Sequence, residues 1–471
     1  MIYRQLFDRL APGQTVRAGV IGTGHYATAI VTQSAEIARL DVPVVADLDL
    51  ESARKAFQRA GVADEEIVAC DSRSAALQAL ERGQRVLLGD ARLLMDLPLD
   101  AIVEATGSAE AGALHASAAI RHGKHVTMVN KEADVTVGPI LKHLADRAGV
   151  VYTAVDGDQH GLLMGLVSWA RELGLEVLCG GKFRDIGLVY DERTGTLVHR
   201  GKAFPLAEED AHLFAPLANG PAGTIPAGRR AALGQAGEIG HFDYEELTIA
   251  ANGTGLSPDT ERLHRPALRT VEIPQVLCPV EEGGILAARG AIEMVTSLRH
   301  ADEADGGGGV FVVVTATSAY SRTILSTKGC YSNERGTTAL IYRPYHLCGV
   351  ETATSILCAA LLGLPTGATE YLPRFDVVAQ VTEDKKAGQA LDYEDVQTMI
   401  RPAGAMEEGA PLSLHMALWN ELAVDVPAGT VITQADVIPP QDSALWRLRR
   451  EQDSLIPSVA HTKRGPSFFE R

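Results

Sequence analysis

At 471 residues the chain is long enough for two or three hydrophobic cores, and its 46% hydrophobic and 22% charged residues are typical of a globular protein. The formal net charge of −17 argues against nucleic acid or an anionic membrane as the main partner, because both would repel the average surface. An anionic small-molecule substrate remains compatible with this charge, since a local basic pocket can hold it.

The six cysteines are scattered without a C-x-x-C pair, a spacing that suits neither a metal site nor a disulfide framework. The first residues lack the apolar stretch of a signal peptide. The longest apolar run, near 355–364, is far shorter than the roughly 20 residues that span a bilayer. We therefore expect a cytoplasmic protein that does not bind membranes.

Residues 16–155 alternate β-branched runs with longer helical patterns, which predicts a parallel sheet covered by helices. The expected strands are Arg17–Ile21, Val42–Ala46, Ala101–Ala105, His125–Val129 and Val150–Val155. The expected helices are Tyr26–Arg39, Leu50–Ala60, Ala109–His122 and Pro139–Ala148.

A glycine-rich turn follows the first expected strand and opens a helix. Gly22 permits a tight turn, Gly24 lets the backbone approach a pyrophosphate, and Ala27 allows the helix to pack on the strand. The helix N-terminus adds free N–H groups for the phosphates. A glycine turn without a ligand is the disfavoured alternative. We expect residues 1–155 to form a Rossmann domain whose cofactor is held by Gly22, Thr23, Gly24, His25 and Tyr26.

Asp47 ends the second expected strand. A carboxylate at this place accepts hydrogen bonds from both ribose hydroxyls and repels a 2′-phosphate. No Arg occupies the positions directly after Asp47, and Arg54 follows only one helical turn later. Of the two forms of NAD(P), NAD(H) is therefore favoured over NADP(H).

Three further positions lie where the nicotinamide half of a cofactor would pass. Thr106 and Gly107 follow one expected strand, and Asn130 ends the next, so that Lys131 should point toward the reacting carbon. A nicotinamide cation or a desolvated cleft would lower the pKa of Lys131 toward neutrality, which suits a group that moves a hydroxyl proton. A surface lysine is the alternative.

Residues 156–371 mix strand-like runs with helices and glycine-rich connections, which predicts an α+β substrate or dimerisation domain. The runs are Glu176–Leu178, Gly309–Thr315 and Thr338–Tyr342. We expect residues 191–240 to be a surface excursion rather than a lid, and Gly306–Gly309 to be a flexible hairpin connection.

Five polar residues of this region are candidates for the substrate. Lys182 could bind a phosphate or carboxylate or polarise a carbonyl, with a structural salt bridge as an equal alternative. Asp158 and His160 could orient the substrate or hold a divalent cation, although a structural role in the turn is slightly preferred. Arg343 suits bidentate binding of an anion, and His346 lies beside it. A divalent metal is not indicated, because no ligand cluster is evident.

The last quarter contains an internal repeat, in which Ala387-Gly388-x-x-Leu391-x-x-x-Asp395-Val396 recurs as Ala428-Gly429-x-x-Ile432-x-x-x-Asp436-Val437. Each copy follows an apolar strand pattern, Asp376–Val381 or Glu421–Val426. Residues 372–440 are therefore expected to form two paired copies of one unit. Residues 441–471 are expected to be a tail, with a solvated basic helix around Arg449 and a disordered end.

Several segments together resemble known proteins. Gly22-Thr-Gly24, Glu104-Ala-Thr-Gly107 and Asn130-Lys131 resemble the cofactor domain of homoserine dehydrogenases. Segments further along resemble a homoserine dehydrogenase-like branch that includes the type II 1-deoxyxylulose 5-phosphate reductoisomerases, the DXR-like enzymes. These segments are Glu132–Pro139, Gly157-Asp158, Gly181-Lys182, Thr254–Asp259, Glu282–Gly284 and Arg343–Leu347. The repeat resembles an SAF domain, a β-clip module.

The resemblance implies an α/β protein with an N-terminal Rossmann domain, a central α+β substrate or dimerisation domain and a C-terminal β-clip. It implies an NAD(P)-dependent dehydrogenase or reductoisomerase for a small polar sugar-derived or hydroxy-acid substrate, a functional Lys131, and a homo-oligomer. The branch uses NADPH, whereas Asp47 favours NAD(H). Homoserine dehydrogenase and a nucleotide-binding sensor without turnover are the alternatives.

Overall fold

The computed structural model describes residues 2–184, 187–199, 201–217, 222–234, 240–303, 305–406 and 409–456. The chain forms two compact units, the first from residues 1–161 and 347–471, the second from residues 162–346. The segment 347–371, which we expected within the central domain, thus belongs by its contacts to the first unit. In the described ranges no helix has both the length and the apolar composition needed to cross a membrane.

The first unit contains a parallel sheet, which the described residues build from seven strands in the order β3-β4-β2-β1-β5-β6-β7. The strands are β1 (Val16–Ile21), β2 (Leu40–Ala46), β3 (Ile67–Cys70), β4 (Arg85–Leu88), β5 (Ala101–Glu104), β6 (His125–Met128) and β7 (Tyr152–Ala154). The helices are α1 (Ile2–Leu10), α2 (His25–Ser34), α3 (Leu50–Arg59), α4 (Arg73–Glu81), α5 (Ala109–Arg121) and α6 (Lys131–Ala148), and a further helix, α7 (Gln159–Glu172), begins in this unit and belongs to the second unit from Leu162 onward. The strand order changes direction between β1 and β5, which is where doubly wound sheets bind ligands. The predicted Rossmann fold is confirmed.

Several details of this unit differ from the prediction. Strands β3 and β4 and helix α4 were not predicted, because four-residue strands carry little periodic signal. Helix α2 ends at Ser34, five residues early. Helix α6 begins at Lys131 rather than Pro139, because the Asn130 side chain caps it by accepting a hydrogen bond from the Ala133 N–H at 3.0 Å.

The second unit contains a mixed sheet, which confirms the predicted α+β pattern. Its main path among the described residues runs β11-β10-β9-β14-β8-β15-β17-β16, and β12 and β13 pair with β14. The strands are β8 (Glu176–Phe183), β9 (Leu188–Asp191), β10 (Thr196–His199), β11 (Lys202–Pro205), β12 (Ser257–Pro258), β13 (Ala267–Leu268), β14 (Ala291–Arg299), β15 (Val310–Thr315), β16 (Tyr331–Ser332) and β17 (Ala339–Arg343). The helices are α8 (Ile225–Leu233), α9 (His241–Thr254), α10 (Ile273–Val276) and α11 (Ala319–Thr327).

The glycine run Gly306–Gly309 is not a hairpin connection. Strands β14 and β15, which flank it, both pair with β8 and not with each other. A Cβ on Gly309 would lie 1.7 Å from the carbonyl oxygen of Arg343, and one on Gly307 would lie 2.1 Å from that of Pro344. The glycines therefore allow close packing of two backbones.

The described residues of the segment 191–240 are packed in the second unit and do not form a surface excursion. Strands β10 and β11 extend the sheet beyond β9. Leu197, Phe214 and Leu233 are buried in one apolar cluster. Arg229 is fully buried and forms an ion pair with Glu272 at 2.6 Å.

The returning chain forms α12 (Thr352–Leu357), the hairpin of β18 (Phe375–Val381) and β19 (Val396–Pro402), α13 (Leu414–Ala417) and α14 (Ala444–Leu455). The two copies of the repeat pair reciprocally: the Gly388 N–H donates to the Leu422 carbonyl at 2.8 Å, and the Gly429 N–H to the Val381 carbonyl at 2.7 Å. This confirms that the copies pair. The predicted second strand, Glu421–Val426, forms only isolated bridges.

Helix α14 is packed rather than solvated, so the prediction of a solvated basic helix was wrong. Trp446 and Leu448 are buried, and the buried Arg449 guanidinium donates to both oxygens of Asp376 at 2.7 Å. Burial lowers the pKa of Arg449, but the carboxylates of Asp376 and Asp453 outweigh it and hold the pKa above its usual range. The predicted disordered end, 457–471, lies outside the described residues.

Candidate active site

The glycine turn joins β1 to α2. Gly22 has φ +91°, and a Cβ there would lie 2.6 Å from the carbonyl oxygen of Ala105, so the turn needs glycine. At Gly24, by contrast, a Cβ would meet no atom within 4 Å. Helix α2 begins at the exposed His25 without a side-chain cap. The turn therefore presents backbone N–H groups to an open space, which fits a phosphate group.

Asp47 directly follows β2 and contacts the glycine turn. The Thr23 hydroxyl donates to Oδ2 of Asp47 at 2.5 Å, and the Asp49 N–H donates to Oδ1 at 2.8 Å. The Arg54 guanidinium is bound to Asp64 at 2.8 Å. The carboxylate of Asp47 is thus fixed beside the place where the turn would hold a dinucleotide.

The loop after β5 is tied to the start of α6. Thr106 donates its hydroxyl to Glu104 at 2.7 Å, and Gly107 has φ +69°. The buried Asn130 amide donates to the Ser108 carbonyl at 2.8 Å and contacts the Thr106 hydroxyl at 3.2 Å. Asn130 therefore holds in place the loop after β5, which we expect to lie beside the nicotinamide.

Lys131, the first residue of α6, is brought next to Asp158. The ammonium nitrogen lies 3.5 Å from Oδ2 of Asp158, and Oδ1 of Asp158 lies 3.7 Å from Nδ1 of His160. Asp158 and His160 are 3% and 2% exposed. Because an adjacent carboxylate favours the charged ammonium, Asp158 opposes the loss of charge expected for Lys131. Lys131, Asp158 and His160, which the sequence analysis selected as candidates, thus lie next to one another, with Asp158 in contact with both of the others.

A second buried carboxylate lies one turn along α6. Asp134 accepts hydrogen bonds at Oδ1 from the hydroxyls of Tyr152 at 2.7 Å and Tyr371 at 3.0 Å. Burial raises the pKa of Asp134, while His160 and the two hydroxyls act in the opposite direction. The sequence analysis did not predict this contact, since Tyr371 is 237 positions away from Asp134 and has no local motif.

Tyr26 points away from the phosphate end of the turn. Its hydroxyl lies 3.1 Å from the Thr352 hydroxyl and 3.4 Å from the Asp156 carbonyl oxygen. Burial raises the pKa of the Tyr26 hydroxyl well above its usual value, and the negative charge of Asp158 is the second-largest cause. A Cβ on Gly157, which has φ +95°, would lie 3.2 Å from the Tyr26 hydroxyl and 2.8 Å from the Leu347 carbonyl oxygen. Tyr26 therefore fixes the turn that carries Asp158.

In the second unit, Lys182 forms a buried salt bridge. Its ammonium contacts Asp243 at 2.7 Å and also Glu246, both on α9. Burial lowers the pKa of Lys182, but the two carboxylates outweigh it, and the net shift is upward. The charged form of Lys182 is thus stabilised. This corresponds to the structural salt bridge that the sequence analysis gave as an alternative, and a lysine held in this form does not act as a proton acceptor.

Arg343 and His346 also lie in the second unit, at and after the end of β17. Val310 is in register with both Lys182 and Arg343, so these two residues project from the same face of the sheet about 10 Å apart. The Arg343 guanidinium lies 4.5 Å from the ring centre of Tyr345. In the part of the chain that the structure describes, no group of three or more His, Cys, Asp and Glu side chains could hold a metal.

Comparison with known proteins adds a family match to this geometry. Residues 243–352 match the family described as "Oxidoreductase DRL, catalytic domain". The chain is 31% identical over 110 residues to the 1-deoxy-D-xylulose 5-phosphate reductoisomerase of Leptospira biflexa. That match covers 22% of this chain and spans only 28% of the length of the relative.

Solved structures of dehydrogenases are among those similar to the chain. The probable dehydrogenase from Thermotoga maritima is 14% identical, with a TM-score of 0.39, and the similarity covers 75% of this chain and 91% of that one. The myo-inositol dehydrogenase from Lactobacillus casei, solved with NAD(H) and myo-inositol, is 16% identical, with a TM-score of 0.27, over 38% of this chain and 47% of that one.

Proposed function

We propose that the chain is an NAD-linked oxidoreductase, a dehydrogenase or DXR-like reductoisomerase, acting on a small polar sugar derivative or hydroxy acid. The observation that carries the proposal is the contact of Lys131 with Asp158 at the sheet edge that also carries the glycine turn. Open α/β sheets bind ligands at this edge. The match of residues 243–352 to an oxidoreductase catalytic domain supports the same class of reaction.

The residues of the glycine turn fit a dinucleotide. Gly22 allows the tight approach to the loop after β5, and the space at Gly24 is open for a phosphate. Gly22, Thr23, Gly24 and the first N–H groups of α2 would hold the pyrophosphate, with Thr106, Gly107 and Asn130 forming the loop beside the nicotinamide. A bound nicotinamide supplies the acceptor or donor of the two electrons.

Asp47 supports NAD(H) rather than NADP(H). Its carboxylate is held in place by the Thr23 hydroxyl and the Asp49 N–H, ready to accept from ribose hydroxyls. A 2′-phosphate at that place would be repelled by the carboxylate. Arg54, which could offset this repulsion, is engaged by Asp64.

Lys131 is the proposed proton carrier of the reaction. With Asp158 stabilising its charge, Nζ would donate a proton to a carbonyl oxygen during reduction and receive it during oxidation. Asp158 orients the ammonium, and His160 contacts the far oxygen of that carboxylate.

The experiment is a substrate screen with the purified full chain, followed by the absorbance of reduced nicotinamide. The panel includes polyols, sugar acids, deoxyxylulose 5-phosphate and homoserine, each with NAD(H) and NADP(H). We expect turnover with NAD(H) that is lost in Lys131→Met and retained in Lys55→Met, an exposed lysine on α3. Cofactor binding without turnover on any substrate would contradict the proposal and favour a nucleotide-binding sensor.

A further inference from the structure

Glu104 is the last residue of β5 and is fully buried, yet the proposed reaction gives it no task. We propose that Glu104 is a positioning residue: it fixes the hydroxyl of Thr106, and through this hydroxyl it holds the Asn130 amide and the loop that binds the nicotinamide half of NAD⁺. This role rests on the proposed function, since that function assigns the loop after β5 to the nicotinamide.

Backbone groups set the direction of the hydrogen bonds that Asn130 makes. Its side chain accepts from the Ala133 N–H at 3.0 Å and donates to the Ser108 carbonyl oxygen at 2.8 Å. These two partners fix which end of the amide carries the nitrogen. Nδ2 therefore also donates to the Thr106 hydroxyl oxygen, 3.2 Å away. Because this hydroxyl accepts from Asn130, its own hydrogen is free to go to a different acceptor.

Glu104 is that acceptor. Its Oε1 lies 2.7 Å from the hydroxyl oxygen of Thr106, and the same Oε1 lies 3.2 Å from Nδ1 of His115 on α5. The direction of the chain is set at its backbone end, so the role of Glu104 does not depend on the charge of its carboxyl group. The loop requires an acceptor oxygen at position 104.

Helix α5 encloses the hydrogen-bonded chain on another side. A Cβ on Gly112 would lie 2.7 Å from Nδ2 of Asn130 and 2.5 Å from Cβ of Ala133, so the amide occupies the space that this glycine leaves. His115, which contacts Glu104, follows three residues later on the same helix. Both ends of the chain are thus packed against α5, and the loop between them is held by the links of the chain.

The second oxygen of Glu104 shows that the residue is costly for the folded state. Oε2 is buried and has no hydrogen-bond partner within the described residues. Burying a polar atom without a partner costs free energy, and such atoms are expected where function requires them. An apolar side chain of similar length should therefore leave the protein about as stable, while it removes the acceptor for Thr106. A residue with only a structural role would show a loss of stability instead.

The test is a calorimetric titration of the full chain with NAD⁺ and with ADP-ribose, which has the same adenosine and phosphates but lacks the nicotinamide. In Glu104→Met we expect the dissociation constant of NAD⁺ to rise about tenfold and that of ADP-ribose to stay within about twofold. Glu104→Gln, which keeps an acceptor oxygen, should recover most of the lost affinity. Without ligand, the urea midpoint of Glu104→Met should be no lower than that of the wild type.

Thr106→Val removes the hydroxyl with little change of shape, which covers the case in which Glu104→Met does not fold. We expect the same selective loss of NAD⁺ affinity, and Thr106→Ser should recover most of it. Because Glu104 acts through Thr106, the double variant should bind NAD⁺ no more weakly than Thr106→Val alone. The matched control is Thr127→Val on β6, a buried threonine whose hydroxyl lies 3.4 Å from the Ile102 carbonyl oxygen, outside the chain; it should keep both affinities.

Three results would overturn the role of Glu104 while the proposed function stands. They are an unchanged NAD⁺ affinity in Glu104→Met and Thr106→Val, an equal loss of affinity for NAD⁺ and ADP-ribose, and additive losses in the double variant. A wild type that binds neither ligand would contradict the proposed function itself, and the role of Glu104 with it.

Discussion

The hydroxyl of Thr23 donates a hydrogen bond of 2.5 Å to Oδ2 of Asp47, and this bond joins the turn after β1 to the end of β2. The two residues are 24 positions apart and come together because their strands are neighbours in the parallel sheet. The bond fixes the carboxylate in the place where the adenosine ribose of a dinucleotide lies in this fold.

The two glycines of the turn should respond differently to alanine. Gly22→Ala should destabilise the protein by about 1–3 kcal/mol and abolish cofactor binding, because φ is +91° and the new Cβ would lie 2.6 Å from the Ala105 carbonyl oxygen. In Gly24→Ala the new Cβ would meet no atom within 4 Å, so the free energy of unfolding should change by at most about 1 kcal/mol. The same substitution should weaken the binding of the cofactor. Urea denaturation and NAD⁺ titration separate the two effects. Equal loss of stability in both variants would contradict this account of the turn.

Lys131→Ala should lower kcat by about a hundredfold or more, because it removes the proposed proton carrier. The dissociation constant of NAD⁺ should stay within about twofold, since Lys131 contacts Asp158 rather than the glycine turn. Steady-state kinetics and a binding titration test the two statements together. Turnover at the wild-type rate in this variant would remove Lys131 from the reaction.

The carboxyl group of Asp134 should make the free energy of unfolding depend on pH. Burial raises the pKa of Asp134 in the folded state above that of the unfolded chain, so the folded state binds the proton more tightly. The resulting contribution to stability is fully present below the unfolded pKa, about 3.9, and is lost as the pH rises through the folded value. Asp134→Asn should therefore show a flatter profile of unfolding free energy against pH than the wild type. Urea denaturation across the acidic range tests this, and identical slopes would contradict it.

The ion pair of Arg449 with Asp376 should be essential for the packing of α14. Arg449→Ala leaves a buried carboxylate without its partner and should cost about 3–5 kcal/mol of unfolding free energy. Arg447→Ala, two residues earlier on the exposed face, should cost at most about 0.5 kcal/mol. Chemical denaturation of both variants compares them directly. Similar stabilities would show that the helix is solvated, as its charge pattern had indicated.

The Rossmann part of the fold could be predicted because its signals are local. Gly22, Gly24 and Asp47 lie within one strand–helix–strand segment, where periodicity and turn chemistry are sufficient. Lys131 and Asp158 could be singled out in the same way, since each follows a strand or a domain crossover. Their contact could not be derived, because it depends on the bend at Gly157 that Tyr26 and Leu347 enforce.

The parts that sequence reasoning missed depend on contacts between distant segments. Tyr371 reaches Asp134 across 237 positions, and although Asp134 lies in the segment Glu132–Pro139 that resembles a known branch, Tyr371 belongs to no recognisable motif. Arg449 lies in a charged helical pattern that normally indicates a solvated surface, yet Asp376, 73 positions away, compensates its charge in the interior. The glycines at 307 and 309 resemble a flexible loop until the backbone of Arg343 and Pro344 is placed against them.

The most direct test of the central claim is a calorimetric titration of the wild type with NAD⁺ and NADP⁺, beside Asp47→Ala and the control Asp71→Ala, an exposed carboxylate after β3. We predict that NAD⁺ binds the wild type at least about tenfold more tightly than NADP⁺, that Asp47→Ala removes this preference, and that the control keeps it. The absence of binding by either dinucleotide, or equal binding of both by the wild type, would contradict the account.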